Sequence, residues 1–308
     1  MAVVAFVKSF SSLKDPSDLR ILTGTATTHH IQYLSNCIFS NKFIILRAAN
    51  TNSISVRRKK TTVSAAIMLP NNPIASDICA TLISGAIASA TILVFELTAK
   101  YQIFDSKLNR KLVHTSIGLV FMLCWPLFSS GYRGAVLASL VPGVNIIRVL
   151  LIGLGIYKDD AIVKSMSRFG DHRELLKGPL YYASTITFAC IVFWRTSPIG
   201  MAAISNLCAG DGLADIVGRR LGKHKLPYNQ NKSYAGTIAM AIAGFVASVG
   251  YMHYFSMFGF IEESSDLVLR FLIVSLISAL VESLPISTEL DDNLTVPLAS
   301  FLAGGFLF

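Results

Sequence analysis

Residues 208–237 read CAGDGLADIVGRRLGKHKLPYNQNKSYAGT, and this stretch brings dense charge into a chain that otherwise consists mainly of apolar segments. An apolar run that begins at Pro198 leads into two carboxylates, Asp211 and Asp215, and a basic loop then ends in Asn-Lys-Ser at residues 231–233. This order of residues is typical of a segment that joins metal ligands to phosphate-binding groups.

Helical geometry predicts that the small and acidic residues of this stretch share a face. At about 100° per residue, Asp211, Ala214, Asp215, Gly218 and Gly222 fall within a stripe roughly 100° wide. Small residues let a ligand come close, but they are also common where membrane helices pack together. The carboxylates favour a functional site, because ionisable side chains in membrane helices are costly and generally functional.

The composition is that of a polytopic membrane protein. Of the 308 residues, 53% are hydrophobic and 15% charged, and the mean hydropathy is +0.57. The net charge of +9 lies mostly in residues 1–64, where nine Lys or Arg face two Asp, so that the remaining 244 residues carry only +2. We therefore predict no nucleic-acid partner.

The amino-terminal segment has the features of a targeting peptide. It is rich in Ser and Thr, poor in acids, and basic at residues 57–60. Residues 1–65 are predicted to be a disordered plastid transit peptide, cleaved between about Val56 and Ala66. A mitochondrial presequence and a disordered cytosolic tail are the alternatives. Residues 66–308 are predicted to form one transmembrane domain.

Hydrophobic runs predict an all-α, polytopic transmembrane bundle of about seven or eight helices. The runs cover residues 78–97, 112–130, 134–157, 179–194, 198–218, 235–256, 267–286 and 293–308. The connecting loops alternate between basic and nearly uncharged. The loops at 98–111, 158–178 and 219–234 hold four, five and five Lys or Arg, and the positive-inside rule therefore places these three on one membrane face.

The same face collects the other polar motifs of the chain. His114 lies at a helix entrance, Lys177 precedes a glycine and a helix start suited to phosphate, and Asp291 and Asp292 precede the last run. Each motif has a structural alternative: an interfacial histidine, a topology anchor, or a helix cap. Together they indicate a single site.

The central stretch resembles the nucleotide-binding signature of the polyprenol kinase family, which includes dolichol, phytol and farnesol kinases. The matching positions are Asp211, Ala214, Gly218, Gly222, Lys225, Lys232, Ser233, Gly236 and Thr237. Related spacing occurs in CTP-dependent phosphatidate cytidylyltransferases, so this signature marks use of CTP more than one reaction. Residues 111–131, 164–182 and 281–298 also resemble the plant plastid branch, and the first two look closer to farnesol kinases than to phytol kinases.

The resemblance implies transfer of the γ-phosphoryl group of CTP to the hydroxyl of an isoprenoid alcohol, with Mg²⁺ as cofactor. Asp211, Asp215, Asp291 and Asp292 are then candidate metal ligands, and Asp211, Asp215, Lys177 and His114 are candidate catalytic residues. The candidate nucleotide-binding residues are Gly210, Gly212, Gly218, Arg219, Arg220, Gly222, Lys225, Lys232, Ser233 and Gly236. A carboxylate or His114 would accept the alcohol proton.

Three other functions remain open from the sequence. The nearest is a phytol kinase, which differs only in the length and saturation of its alcohol. A cytidylyltransferase would use the same CTP-binding elements for a different reaction. A small transporter would use its intramembrane acids to carry ions, although polar groups gathered at one face fit a transporter poorly. The sequence indicates no oligomeric state.

Overall fold

A computed structural model describes residues 72–167, 169–285 and 290–308. The predicted transit peptide and its cleavage site lie outside these residues. The described chain is a helical bundle with one small two-stranded sheet, which confirms the predicted fold class. Its α-helices are α1 Pro73–Lys100, α2 Ser106–Leu123, α3 Tyr132–Gly153, α4 Asp160–Met166, α5 Gly178–Val192, α6 Pro198–Ser205, α7 Asp211–Leu221, α8 Tyr234–Ser256, α9 Ser265–Ser283 and α10 Asp292–Leu307.

Local signals in the sequence fix where several helices begin. Asn72 caps α1 with its side chain, and Pro73 follows at a position that tolerates proline. Asp105 caps α2 by accepting a hydrogen bond from the backbone of Leu108, at 3.0 Å. Because this cap sets the start, α2 begins before the hydrophobic run at 112–130, and it ends within that run at Leu123.

Each predicted hydrophobic run nevertheless coincides with a helical segment. Among the described residues, four helical segments are long and apolar enough to cross a membrane: Pro73–Lys100, Tyr132–Gly153, His172–Val192 and Tyr234–Ser256. The other segments are shorter or more charged. For example, α10 has 16 residues, and α9 contains Asp266, Arg270 and Glu282.

The helical segment from Pro198 to Leu221 is not regular. It passes from α6 through a π-helical turn at Asn206–Gly210 and then into α7. The turn is buried, and Gly244 of α8 packs closely on it, because a Cβ on Gly244 would lie 1.9 Å from the Asn206 amide oxygen. Such turns are frequent at functional sites, and this one ends immediately before Asp211.

The basic loop at 219–234 contains regular structure that was not predicted. Lys225–Leu226 (β1) and Asn229–Ser233 (β2) pair antiparallel as a short hairpin. The side-chain amide of Asn229 donates hydrogen bonds to the carbonyls of Ser283 and Leu284, at 3.0 and 3.2 Å. The hairpin is therefore held against the end of α9.

Candidate active site

The starts of α5, α8 and α10 meet α2, α7, the end of α9 and the hairpin around one cavity of about 720 Å³. This volume is within the range of small-molecule sites. Unlike most such sites, its lining is dominated by charged and polar side chains. We call it the charged cavity.

Asp211 is the most enclosed carboxylate of the cavity, with a side chain that is 3% exposed. Lys111 of α2 pairs with it at 2.7 Å. His114, one turn further along α2, places its Nε2 3.2 Å from the same carboxylate oxygen and 2.8 Å from the carbonyl of Leu207. Because both neighbours of Nε2 accept hydrogen bonds, this nitrogen carries a proton and Nδ1 is the ring atom left to act as a base.

A second charged group surrounds Lys232 at the end of β2. Its ammonium forms ion pairs with Glu282 and with Asp292, the latter at 3.0 Å. Burial disfavours the charge on Lys232, but the carboxylates of Asp292 and Glu282 outweigh this effect and raise its pKa. Lys232 is therefore a fixed positive charge in the cavity.

Three carboxylates from different helices converge between these lysines. Oxygen atoms of Asp211, Glu282 and Asp292 lie within 4.8 Å of one another. Burial, together with the neighbouring charge of Asp211, raises the pKa of Asp292 to about 7. Crowded acids of this kind attract a cation, and an all-oxygen set suits Mg²⁺. The donor set therefore fits the implied cofactor.

Several buried polar atoms of the cavity lack a hydrogen-bond partner within the described part of the chain. They include Oδ1 of Asp292, Oδ1 of Asn293 and Oγ1 of Thr237, and all three residues line the cavity. An unsatisfied buried polar atom costs about 1–3 kcal/mol. These atoms can therefore form hydrogen bonds with a polar ligand or with water.

The four candidate catalytic residues, Asp211, Asp215, Lys177 and His114, all line the charged cavity. Asp215 pairs with Arg219 at 2.6 Å, one turn from Asp211. Lys177 precedes the first residue of α5. The catalytic roles of these residues stay predictions.

The four candidate metal ligands divide into two pairs. Asp211 and Asp292 belong to the carboxylate trio. Asp291 caps α10, accepting hydrogen bonds from the backbone and side-chain nitrogens of Asn293 at 2.9 and 2.6 Å. Asp215 lies in the lining but outside the trio. Metal binding by Asp215 and Asp291 stays a prediction.

The candidate nucleotide-binding residues also divide into two sets. Those in the cavity lining are Gly218, Arg219, Lys225, Lys232, Ser233 and Gly236. Those outside it are Gly210, Gly212, Arg220 and Gly222. Arg220 lies instead beside a separate small depression with Asp105. The nucleotide-binding roles of both sets stay predictions.

The glycines in and after α7 pack closely on neighbouring elements, which is the structural alternative that the sequence allowed for them. A Cβ on Gly212 would lie 2.0 Å from Oγ1 of Thr115 on α2, and one on Gly222 would lie 2.4 Å from Oγ of Ser233. Gly218 and Gly236 face each other, since a Cβ on Gly236 would lie 3.3 Å from Cα of Gly218. These contacts hold α7 against its neighbours and so fix the position of Asp211.

Sequence reasoning interpreted Glu282, an acid inside a membrane helix, as functional or paired, but it did not assign Lys111, Glu282 or Asn293 to the site. Signals for two of them were present. Glu282 is an acid in an apolar helix, and Lys111 lies one turn before His114 on the same helix. Asn293 gave no signal, because its exposure to the cavity depends on how α10 meets α5.

The fold and the site together define a membrane-embedded enzyme whose polar chemistry is concentrated in one cavity at the end of an apolar bundle. The sequence is 67% identical to a probable phytol kinase 3, chloroplastic, of Glycine max, over 78% of this chain and 75% of that protein. It is 59% identical to farnesol kinase, chloroplastic, of Arabidopsis thaliana, over 87% and 88%. It is 39% identical to phytol kinase 1, chloroplastic, of Arabidopsis thaliana, over 94% of both chains.

The chain belongs to this family of chloroplast prenyl-alcohol kinases, enzymes that transfer phosphate to an alcohol. It is a multi-pass membrane protein of the chloroplast. No protein-family model matches the sequence. No solved structure matches it.

Proposed function

We propose that this chain is a farnesol kinase, which transfers the γ-phosphoryl group of CTP to farnesol and related prenyl alcohols, including geraniol and geranylgeraniol. The product is the prenyl monophosphate. The observation that supports this most strongly is the charged cavity, where three converging carboxylates, the buried Lys111 and the partly buried Lys232 line one opening at the end of an apolar bundle. The 59% identity to a farnesol kinase favours that alcohol.

The position of the cavity suits a reaction between a lipid-soluble alcohol and a water-soluble nucleotide. A prenyl alcohol dissolves in the bilayer while its hydroxyl remains near the polar interface, and CTP approaches from water. A site at one end of the bundle is accessible from both phases. The cavity therefore meets the main physical requirement of the reaction.

Enzymes catalyse phosphoryl transfer mainly by positioning the reactants and by stabilising the charge of the transferred group. In the proposed site, Asp211, Glu282 and Asp292 would hold Mg²⁺, which would supply positive charge to the phosphate groups of the nucleotide. Lys111 and Lys232, now paired with those carboxylates, place their ammonium groups where the transferring phosphate gathers negative charge.

The nucleotide occupies the side of the cavity formed by α7, the hairpin and α8. Arg219 and Lys225 supply positive charge there, and the unpartnered hydroxyl of Thr237 supplies a hydrogen-bonding group. Lys177, on the opposite side, contacts the transferred phosphate beside the start of α5. A carboxylate of the trio or Nδ1 of His114 accepts the alcohol proton.

Phytol is the second candidate acceptor. The relative with 67% identity is named a probable phytol kinase, and phytol presents the same primary hydroxyl on a longer, more saturated chain. Direct competition between the two alcohols in one reaction decides between them, because the ratio of the two phosphorylated products reports relative kcat/KM.

Label transfer from CTP tests the proposal. Membranes containing the full chain receive Mg²⁺, farnesol and CTP labelled at the γ or the α phosphate. We expect organic-soluble label from γ-labelled CTP alone, and none from the Asp211→Asn variant. Label from α-labelled CTP, seen when a phosphorylated lipid replaces farnesol, would establish a cytidylyltransferase. If neither label moves while the protein is folded and inserted, the proposed combination of CTP and farnesol is wrong and phytol becomes the leading acceptor.

We also propose that residues 1–65 are the plastid transit peptide and that residues 66–308 form the kinase domain. The basic, acid-poor composition of the leader supports this division. A fusion of residues 1–66 to a fluorescent protein should enter plastids, and exclusion from plastids would contradict the assignment.

A further inference from the structure

The lining of the charged cavity is chemically divided. Apart from Ala214, its apolar side chains come from two segments only, residues 166–181 and 290–294. They are Met166, Phe169, Pro179, Tyr181, Leu290 and Leu294. The surfaces contributed by α2, α7, the hairpin, α8 and α9 are polar, charged or formed by small residues. We call the part of the lining where α5 and α10 begin the apolar side, although the same two segments also contribute charged residues such as Lys177 and Asp292.

The apolar side opens onto the outer surface of the bundle. Tyr181 and Leu294 line the cavity and yet are 36% and 42% exposed. The two helices are joined just behind these residues, since Oγ1 of Thr185 donates a hydrogen bond to the carbonyl of Asn293, at 3.3 Å. We call the line along which α5 and α10 pack, leading away from the cavity, the seam.

An aromatic pair closes this seam further along. Phe188 on α5 and Phe301 on α10 contact each other edge to face, with ring centroids 5.4 Å apart, and Phe193 stacks on Phe301 at 5.1 Å. Phe188 and Phe301 each lie seven residues after Tyr181 and Leu294, which places them on the same helix faces, about 10 Å from the mouth. The seam therefore begins at the charged cavity and ends at large aromatic side chains.

We propose that this seam holds the isoprenoid chain of the alcohol, with Tyr181 and Leu294 flanking it at the mouth and the Phe188–Phe301 pair limiting its length. The inference rests on the proposed function and assigns the specificity residues of that site. Oδ1 of Asn293, buried and unpartnered at the inner end of the seam, accepts the hydrogen bond of the alcohol hydroxyl. The hydroxyl then lies next to the carboxylate of Asp292.

A tryptophan at the mouth tests the entrance. Leu294→Trp should raise the KM for farnesol about tenfold or more, because the larger ring fills the space of the chain, and the rise should be smaller for a five-carbon prenol. Leu276→Trp on α9 is the matched control, since Leu276 is 46% exposed and does not line the cavity. Equal effects of the two substitutions on farnesol would overturn the proposal.

Removal of one ring of the Phe188–Phe301 pair tests whether the pair limits the length of the isoprenoid chain. Phe188→Ala should raise the preference for geranylgeraniol over farnesol, expressed as a ratio of kcat/KM, about tenfold. Leu276→Ala serves as the control and should leave the ratio unchanged. An unchanged ratio in an active Phe188→Ala enzyme would remove the role of the pair.

A binding readout separates failure of the seam from failure of the function. A farnesol analogue with a photoreactive group at its far end should label peptides of α5 and α10 in the full chain, and excess farnesol should prevent the labelling. Labelling elsewhere by a wild-type enzyme that phosphorylates farnesol would refute the seam alone. Absence of any prenyl-alcohol phosphorylation by the wild type would instead refute the proposed function.

Discussion

Buried charges occur at both ends of the helical bundle, and their surroundings differ. At the cavity end, Asp211 and Lys232 belong to ion pairs that line an opening. At the other end, which we call the closed end, Asp77 accepts hydrogen bonds from the backbone nitrogen and the hydroxyl of Ser129, both at 2.7 Å. Arg195 is 1% exposed, and its guanidinium group donates a hydrogen bond to the carbonyl of Phe128. The Cζ atom of Arg195 lies 3.9 Å from the centroid of the Phe260 ring.

The difference shows that burial of a charge does not by itself identify a catalytic site. Asp77 is fully buried, but nearby neutral donors satisfy both of its oxygens, so it requires no ligand. At the cavity end three acids crowd together and several buried polar atoms lack partners among the described residues. Crowding of like charges around an opening therefore distinguishes the cavity end, since buried polar atoms such as Nε of Arg195 lack a partner within the described ranges at the closed end as well.

Removal of one carboxylate charge at each end gives the largest expected contrast. Asp211→Asn should lower kcat on the order of 10³-fold or more, because it removes a proposed metal ligand and leaves Lys111 unpaired. Asp77→Asn should leave turnover per folded molecule unchanged and should cost about 1–3 kcal/mol of stability. Phosphorylation assays and thermal unfolding of both variants in detergent provide the measurements, and near wild-type turnover in Asp211→Asn would contradict the assignment.

Removal of a cation from each end should give a smaller contrast. Lys232→Met should lower kcat about 100-fold, because the ammonium that faces Asp292 no longer stabilises the transferred phosphate. Lys232→Arg should recover part of this loss, since the charge returns in a different shape. Arg195→Met at the closed end should act on the unfolding midpoint and not on kcat, and equal losses of kcat in the two Met variants would contradict a catalytic role specific to Lys232.

The sequence predicted those parts of the cavity end whose functional residues lie close together along the chain. The hydrophobic runs placed the helices, and the charge pattern placed the basic loops on one face. The inclusion of Glu282 and Asn293 depends on how the end of α9 and the start of α10 lie beside the hairpin and α5, which periodicity does not encode. Asp77 illustrates the reverse difficulty, because nothing in its sequence context predicts the distant donor Ser129.

Glycine substitutions test whether helix packing sets the geometry of the cavity end. Gly212→Ala should destabilise the protein by about 1–3 kcal/mol, because its Cβ would collide with Thr115 and force α7 away from α2. Gly143→Ala in α3 is the control, because no atom lies within 4 Å of the added Cβ, and it should stabilise by up to about 1 kcal/mol. Opposite shifts of the unfolding midpoint are expected, and a neutral Gly212→Ala would show that α7 and α2 yield readily.

The ion pair between Arg219 and Asp215 should give the smallest effect on stability, and it separates packing from ligand binding within the cavity end. Both side chains are about one-third exposed, and exposed pairs contribute about 0–1 kcal/mol. Arg219→Gln should therefore leave the unfolding midpoint nearly unchanged. If Arg219 contacts the nucleotide, the same variant should raise the KM for CTP several-fold with little change in the KM for farnesol, since a charged hydrogen bond contributes about 1.5–3 kcal/mol. A parallel rise in both KM values would show that Arg219 is not specific to the nucleotide.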